Sequence, residues 1–287
     1  MPALRRPLVG AHYYTWYFRQ DGRPWGNGMT DAPASPMPRL GWYNSNDPEI
    51  MDAHIAGMEQ AGFDFALVNI VAEAPHSWEN VHRFHDRLNG RRLRFAVTLD
   101  GLYEEGPDVK AAWVEKAKRE FAWRPNYVAV EGGPLVVLFS SPLNFESEGV
   151  TLRNLYWTPD YRDGSNTFNG GPLEPRDWPF WAPTPQPLIN RLVPVVPGYR
   201  DTHLNRPRAM ELPRRDGATY HEQWERAVAL RPDITLVYSW NEHFEQTAIE
   251  PTDAWGDRYV TWTACYAQAL RGGQPADCRD RRAGDMK

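Results

Sequence analysis

The chain of 287 residues has only two cysteines, Cys265 and Cys278, and no run of lysines or arginines. Two cysteines are too few for a disulfide framework or a Cys-x-x-Cys zinc cluster. Cys265 has Trp262 and Tyr266 close by in sequence, so we expect it to be a buried thiol. The formal net charge is −5, which disfavours a nucleic-acid-binding protein. No apolar stretch approaches about 18 residues, and no membrane-spanning helix is predicted.

A secretory signal is also lacking. Arg5 and Arg6 are followed by only Leu8 and Val9 before His12, whereas a signal peptide needs an apolar region of about 7–15 residues. We therefore expect a cytoplasmic protein, or a secreted or periplasmic one if a signal has been trimmed from the sequence.

Aromatic residues, in contrast, are plentiful, with 13 Trp, 13 Tyr and 11 Phe. Most of them are expected to fill the core. Some tryptophans occur in segments rich in proline and glycine, where packing alone seldom needs such bulk: Trp25, Trp42, Trp157, Trp178 and Trp181. Their flat faces are suited to stacking on the apolar faces of ligands, including sugars.

Apolar runs of strand length alternate with segments of helical period, as in repeated βα units. Ser77 is a candidate cap for one of these helices, and between Pro142 and Asn190 the helical rhythm fades. We predict a single-domain α/β protein, a (β/α)₈ TIM barrel over residues 1–272 with some helices shortened or replaced by loops. Residues 273–287 are predicted to form a loose, charged tail.

An open doubly wound sheet is the alternative fold. It is disfavoured because His12-Tyr13-Tyr14-Thr15-Trp16 follows the first strand, where a Gly-x-Gly-x-x-Gly phosphate loop would be expected.

In a barrel, reactive groups lie at the carboxyl ends of the strands. Glu242 and Glu245 directly follow the last apolar strand, and a glycosidase needs two carboxyl groups. The alternative is that these acids only cap a helix or pair with arginine. His12, Asn69 and Asp100 follow or end other strands and are candidate ligand contacts.

The segment after the last strand resembles the signature of glycoside hydrolase family 99, the endo-α-mannosidase group, and its relatives: Ser239-Trp240-Asn241-Glu242-x-x-Glu245-x-Thr247-x-Ile249-Glu250-Pro251. Four further segments match in order, namely Tyr13-Tyr14-x-Trp16-Tyr17, Tyr43-x-Ser45-x-Asp47-Pro48, Tyr156 in Leu155-Tyr156-Trp157, and Pro197-Gly198-Tyr199-Arg200-Asp201-Thr202.

This resemblance implies a retaining glycosidase that acts within α-linked, mannose-containing chains. Glu242 would be the base toward the sugar's 2-hydroxyl, and Glu245 the general acid and then base. It also implies that Tyr156 lies near this pair and that Tyr13 or Tyr14 lines the same pocket. With the strand-end candidates added, the predicted substrate-binding set is Tyr13, Tyr14, Trp16, His12, Tyr156, Asn241, Asn69 and Asp100. Where the family usually has Trp-His between the glutamates and Gly after the second, this chain has His243, Phe244 and Gln246, which indicates altered sugar subsites.

The predicted partner is thus an oligosaccharide or polysaccharide, with no metal, no organic cofactor, no nucleic acid and no membrane. Two other functions stay open. One is a carbohydrate-binding barrel without turnover. The other is a sugar transferase of polysaccharide synthesis, which would need a nucleotide-phosphate site; no Gly-rich loop or basic cluster indicates one. The sequence does not predict the oligomeric state.

Overall fold

A computed structural model describes most of the chain. The described residues are 7–18, 25, 36–139, 143–156, 175–180, 188, 190–204, 209–272 and 277–280. Trp157 and Trp181 lie outside them, and so does the side chain of Tyr156.

Strands and helices alternate along the described residues. In chain order they are β1 (Leu8–Tyr13), α1 (Pro48–Gln60), β2 (Phe65–Val71), α2 (Pro75–Arg87), β3 (Arg94–Asp100), α3 (Pro107–Phe121), β4 (Ala129–Val130), β5 (Gly133–Phe139), β6 (Thr151–Tyr156), β7 (Asp177–Pro179), β8 (Leu192–Val195), β9 (Tyr199–Arg200), β10 (Glu211–Leu212), α4 (Ala218–Leu230), β11 (Ile234–Val237) and α5 (Arg258–Leu270).

Eight of these strands pair in parallel, in the order β7-β6-β5-β3-β2-β1-β11-β8. Because β7 also lies against β8, the sheet is a nearly closed barrel. The predicted (β/α)₈ fold is confirmed. The short strand β4 pairs antiparallel with β5, and β9 with β10.

The helices pack outside the barrel, and several begin at a proline. Pro48 and Pro75 lie in the first turns of α1 and α2, where a missing N–H costs no helical hydrogen bond. The prediction that Ser77 caps α2 is wrong, because the helix already begins at Pro75. The Ser77 hydroxyl instead accepts a 3.0 Å hydrogen bond from the Val71 N–H.

One described connection of the barrel lacks a helix, and it lies in the stretch where the sequence predicted a fading helical rhythm. Between β5 and β6, the described residues 143–150 form turns and no helix. The connections on either side of β7 lie largely outside the described residues. Trp178 itself is on β7 and, like Trp25, is buried, so both fill the core.

Two glycines allow close approaches that shape the barrel. A Cβ on Gly10 would lie 2.3 Å from the Phe65 ring, so Gly10 makes room for this ring. A Cβ on Gly57 of α1 would lie 2.7 Å from the Trp240 ring. Gly57 therefore lets α1 pack directly under the segment that follows β11.

The expectation of a buried thiol at Cys265 is wrong, because Cys265 forms a disulfide with Cys278. Cys278 is itself buried, and Arg279 beside it pairs with Glu225 of α4 at 2.7 Å. Residues 277–280, inside the predicted tail, are therefore attached to α4 and α5. No helix in the described part of the chain has the length and apolarity needed to cross a membrane.

Candidate active site

The segment after β11 forms a tight loop that begins and ends at the barrel mouth. The Ser239 N–H donates to the Thr247 carbonyl at 3.2 Å, and the Thr247 N–H donates to the Glu242 carbonyl at 3.0 Å. The Ser239 hydroxyl accepts a 2.6 Å hydrogen bond from the Glu242 N–H. These bonds fix the backbone that carries Glu242.

Glu242 and Glu245 lie together, as predicted, and a pair of tyrosines joins them. The hydroxyls of Tyr14 and Tyr238 are hydrogen-bonded to each other, and the charges of both glutamates act on both hydroxyls. Tyr238 also donates a hydrogen bond to Glu245. The glutamates are only 2% and 8% exposed. The loop therefore places two buried carboxyl groups beside the same two tyrosines.

Glu242 holds its proton unusually tightly. Burial and the nearby charge of Glu245 raise the pKa of Glu242 from 4.5 to about 8, although three hydrogen bonds oppose the rise. They come from the backbone N–H groups of Phe244 and Glu245 and from the Tyr17 hydroxyl, the Phe244 bond being 2.8 Å and the Tyr17 bond 3.1 Å. At neutral pH the Glu242 carboxyl is therefore mainly protonated.

Tyr14 and Trp16 extend the site outward. Their rings pack at 4.5 Å between centroids, and Trp16 is half-buried, so one part of it faces solvent. Burial raises the pKa of Tyr14 well above 10, and the charges of the glutamates and of Asp100 add to this. Tyr14 therefore stays a neutral hydroxyl surrounded by carboxyl groups.

Asp100 and Asn69 lie at the ends of neighbouring strands, and the structure brings them together. The Asn69 amide donates a 3.1 Å hydrogen bond to Asp100. Burial raises the pKa of Asp100. Hydrogen bonds from Tyr103, Asn69 and Gly101 partly oppose this rise. The other amide atom of Asn69, Oδ1, is buried without a hydrogen-bond partner among the described residues.

His12 lies near the same end of the barrel, and its imidazole ring is neutral. Its edge contacts are with Tyr238 at 5.2 Å and Phe180 at 5.5 Å, and burial lowers its pKa to about 3. In the described part of the chain, its Nε2 atom has no hydrogen-bond partner. His12 and Asn69 thus each have one polar atom to offer a ligand.

Two predicted contacts are placed differently, and the side chain of a third is not among the described residues. The Tyr13 hydroxyl lies 3.0 Å from His54 of α1, in the layer between barrel and helices, whereas the prediction put it in the pocket. The Asn241 amide bonds the Tyr14 backbone. Tyr156 ends β6, and its side chain lies outside the described residues.

Sequence reasoning missed a buried cluster beneath the loop. Glu250 accepts hydrogen bonds from Tyr43 at 2.6 Å, His54 at 3.1 Å and His243 at 2.5 Å. Burial alone would raise the pKa of Glu250, but the charges and hydrogen bonds of His54 and His243 outweigh it and lower the pKa to about 2. Tyr43 and Glu250 stand in the motifs quoted above, so those motifs were the signal; nothing marked His54.

The cluster is not arranged as a metal site, because both imidazoles bond Glu250 directly. Within the described residues, no group of three or more His, Cys, Asp or Glu side chains is placed to hold a metal ion.

Comparison with known proteins gives a structural match only. No model of a known protein family matches the sequence, and no curated protein matches it. The solved GH99 endo-alpha-mannosidase of Bacteroides thetaiotaomicron matches with a TM-score of 0.71 and 19% identity, over 93% of this chain and 98% of that one. Its complex with bis-tris propane gives 0.72 and 20%, over 92% and 97%.

The chain has the fold of the GH99 enzymes. A structure described as a glycoside hydrolase-like protein also matches, with a TM-score of 0.60 and 14% identity over 94% of this chain and 96% of that one. The fold that the sequence resemblance to GH99 implied is therefore present along nearly the whole chain.

Proposed function

We propose that the protein is a glycoside hydrolase that cleaves α-linked, mannose-containing glycans, with Glu242 and Glu245 as its catalytic pair. The observation that carries the proposal is that the two buried carboxyl groups, both just after the carboxyl end of β11, lie beside each other and beside the same two tyrosine hydroxyls. The shared fold with GH99 endo-alpha-mannosidases supports the substrate class.

The roles of the two acids follow from the resemblance. Glu242 takes the proton of the sugar's 2-hydroxyl as that oxygen attacks the anomeric carbon, while Glu245 protonates the departing glycosidic oxygen. Water then opens the resulting epoxide-like sugar. Glu245 takes a proton from this water, and Glu242 returns its proton to the 2-oxygen. Bonds and protons balance over the two steps, and the anomeric configuration is retained.

In this mechanism Glu242 starts ionised, whereas its raised pKa keeps it mainly protonated in the free protein at neutral pH. We infer that substrate binding lowers the pKa of Glu242. A 2-hydroxyl that donates to Glu242 stabilises the ionised form of that carboxyl.

Sugar recognition is assigned to the mouth around this pair. The partly exposed Trp16 offers a face for stacking, and the buried His12 Nε2 and Asn69 Oδ1 atoms offer hydrogen bonds to hydroxyl groups. Asp100 adds a carboxyl acceptor beside Asn69.

The experiment is a screen of α-mannosides and bacterial polysaccharides for new reducing ends, with Glu242→Gln and Glu245→Gln compared with the unmodified protein. Each variant should lower turnover at least ~100-fold, because each removes one proton-transfer group. Glu225→Gln, on the surface of α4, is the matched control. Unchanged activity in either active-site variant would show that the assignment is wrong.

A carbohydrate-binding barrel without turnover is the second candidate. It is favoured by His243, Phe244 and Gln246, which depart from the GH99 pattern, and by the deep burial of both glutamates. In this case calorimetry would detect oligosaccharide binding, and prolonged incubation would release no reducing ends.

A further inference from the structure

Glu250 is the acceptor at the centre of the buried cluster. Because its carboxyl is ionised, it has no proton to donate, and the Nε2 atoms of His54 and His243 must both be N–H donors. The Tyr43 hydroxyl donates to the same carboxylate. Glu250 therefore holds the imidazole of His243, the residue that directly follows Glu242.

One chain of hydrogen bonds leads from this imidazole to Glu242. The backbone N–H of His243 donates to the Tyr17 hydroxyl oxygen at 2.9 Å, and Tyr17 in turn donates to Glu242 Oε1 at 3.1 Å. A phenol has a single proton. Because the N–H of His243 occupies one side of its oxygen, that proton is directed to Glu242.

A second chain leads from Glu250 to Tyr14. Tyr43 lies 3.3 Å from the Asn241 amide, and the same amide forms two hydrogen bonds with the Tyr14 backbone. Glu250 thus braces the backbone on both sides of Glu242.

We propose that Glu250 is a positioning residue for Glu242: by holding His243, it keeps the Tyr17 hydroxyl donating to the Glu242 carboxyl. Glu250 does not contact the substrate in this proposal. Its importance for turnover rests on the proposed function, but the protonation of Glu242 can be measured without any substrate.

The test must consider every titratable group that faces these two acids. Those that act on Glu242 or on its tyrosine neighbours are Glu245, Tyr14, Tyr17, Tyr199, Tyr238 and Asp100. Those that face Glu250 are Tyr13, Tyr43, His54 and His243. Among these groups, Tyr17 donates to Glu242 and is linked to Glu250 through His243, so Tyr17→Phe is the variant that isolates the link.

The experiment is a ¹³C NMR titration of the whole protein labelled at the glutamate carboxyl carbon, in which the Glu242 signal is the one missing from Glu242→Gln. Tyr17→Phe removes a donor to the carboxylate and should raise the midpoint of the Glu242 titration by about 1 pH unit. Glu250→Gln should raise it in the same direction. The double variant should show no more than the Tyr17→Phe shift, because both changes act on one hydrogen bond.

The direction of the shift separates positioning from simple charge. Removing the negative charge of Glu250 without moving Tyr17 lowers the midpoint, because the Glu242 carboxylate then has less repulsion. A midpoint that falls or stays unchanged in Glu250→Gln overturns the proposal. If Glu250→Gln does not fold, His243→Gln breaks the same link and must give the same rise.

Asp64→Asn is the matched control. Asp64 is a buried carboxyl at the opposite end of the barrel that accepts the Val9 N–H at 2.9 Å and pairs with Arg271 at 2.6 Å. This variant should lose stability and leave the Glu242 midpoint unchanged. If the midpoints shift as expected but no glycan is cleaved, the positioning role stands and the proposed function fails.

Discussion

The side-chain amide of Asn241 forms two hydrogen bonds with the backbone of Tyr14, each 2.8 Å long. Its Oδ1 accepts the Tyr14 N–H, and its Nδ2 donates to the Tyr14 carbonyl. The two residues are 227 positions apart in the chain. This pair joins the ends of two neighbouring barrel strands, β1 and β11, and so sets the position of Tyr14 against the glutamates.

We predict that Asn241→Asp lowers kcat at least tenfold with little change in KM. The carboxylate cannot donate to the Tyr14 carbonyl, and leaving buried groups unpaired also costs about 1–3 kcal/mol of stability. Steady-state kinetics on a cleaved glycan and urea unfolding measure the two effects. A large rise in KM at unchanged kcat would instead show that Asn241 is a sugar contact, as its inclusion among the substrate-binding residues predicted.

The second prediction concerns the pH dependence of stability. The pKa of Glu242 is about 8 in the folded protein and near 4.5 without the fold. Between these values the folded state binds more protons, so stability falls as pH rises through this window. Glu242→Gln removes this dependence and should be more stable than the unmodified protein at pH 8, by on the order of 4 kcal/mol.

Urea unfolding of both proteins from pH 5 to pH 9 measures the difference. The opposite contribution of Glu250, whose pKa is lowered to about 2, lies below this range. Parallel stability curves would mean that Glu242 is not protonated preferentially in the fold.

Much of the barrel mouth was predictable because the carboxyl ends of the parallel strands meet there. Residues that follow apolar runs reach the carboxyl end of the barrel, and this rule found Glu242, Asp100 and His12. The alternation of side chains along a strand explains why the prediction for Tyr13 was wrong. His12 points into the barrel, so its neighbour on the strand points out toward the helices.

Within the buried cluster, His54 could not be predicted from local patterns. His54 meets Glu250 across 196 positions, and both ends of this contact come from elements whose packing is decided by the whole fold. The Cys265–Cys278 pairing is similar, since it depends on how the chain turns back after α5.

The third prediction tests sugar stacking. Trp16→Ala should weaken oligosaccharide binding about tenfold, because its partly exposed ring packs beside Tyr14 at the mouth. Trp123→Ala is the control, since Trp123 is 69% exposed just after α3, away from the strand ends. Calorimetry in the inactive Glu245→Gln background measures affinity without turnover. Equal affinities in both variants would remove Trp16 from the binding site.

The last prediction concerns the disulfide. Cys265 and Cys278 are 13 residues apart, and closing a loop of this size stabilises a fold by about 3 kcal/mol. Cys265→Ser with Cys278→Ser, or reduction of the unmodified protein, should therefore lower the free energy of unfolding by about this amount. Glycan cleavage should persist, because the bond joins α5 to residues 277–280 and not to the segment that carries Glu242 and Glu245. Urea unfolding with and without reductant measures the change.

Disulfides persist mainly in oxidising compartments, so thiol labelling of the protein in its own cells also tests the cytoplasmic expectation. Two free thiols there would support it, and a fully formed disulfide would place the protein outside the cytoplasm.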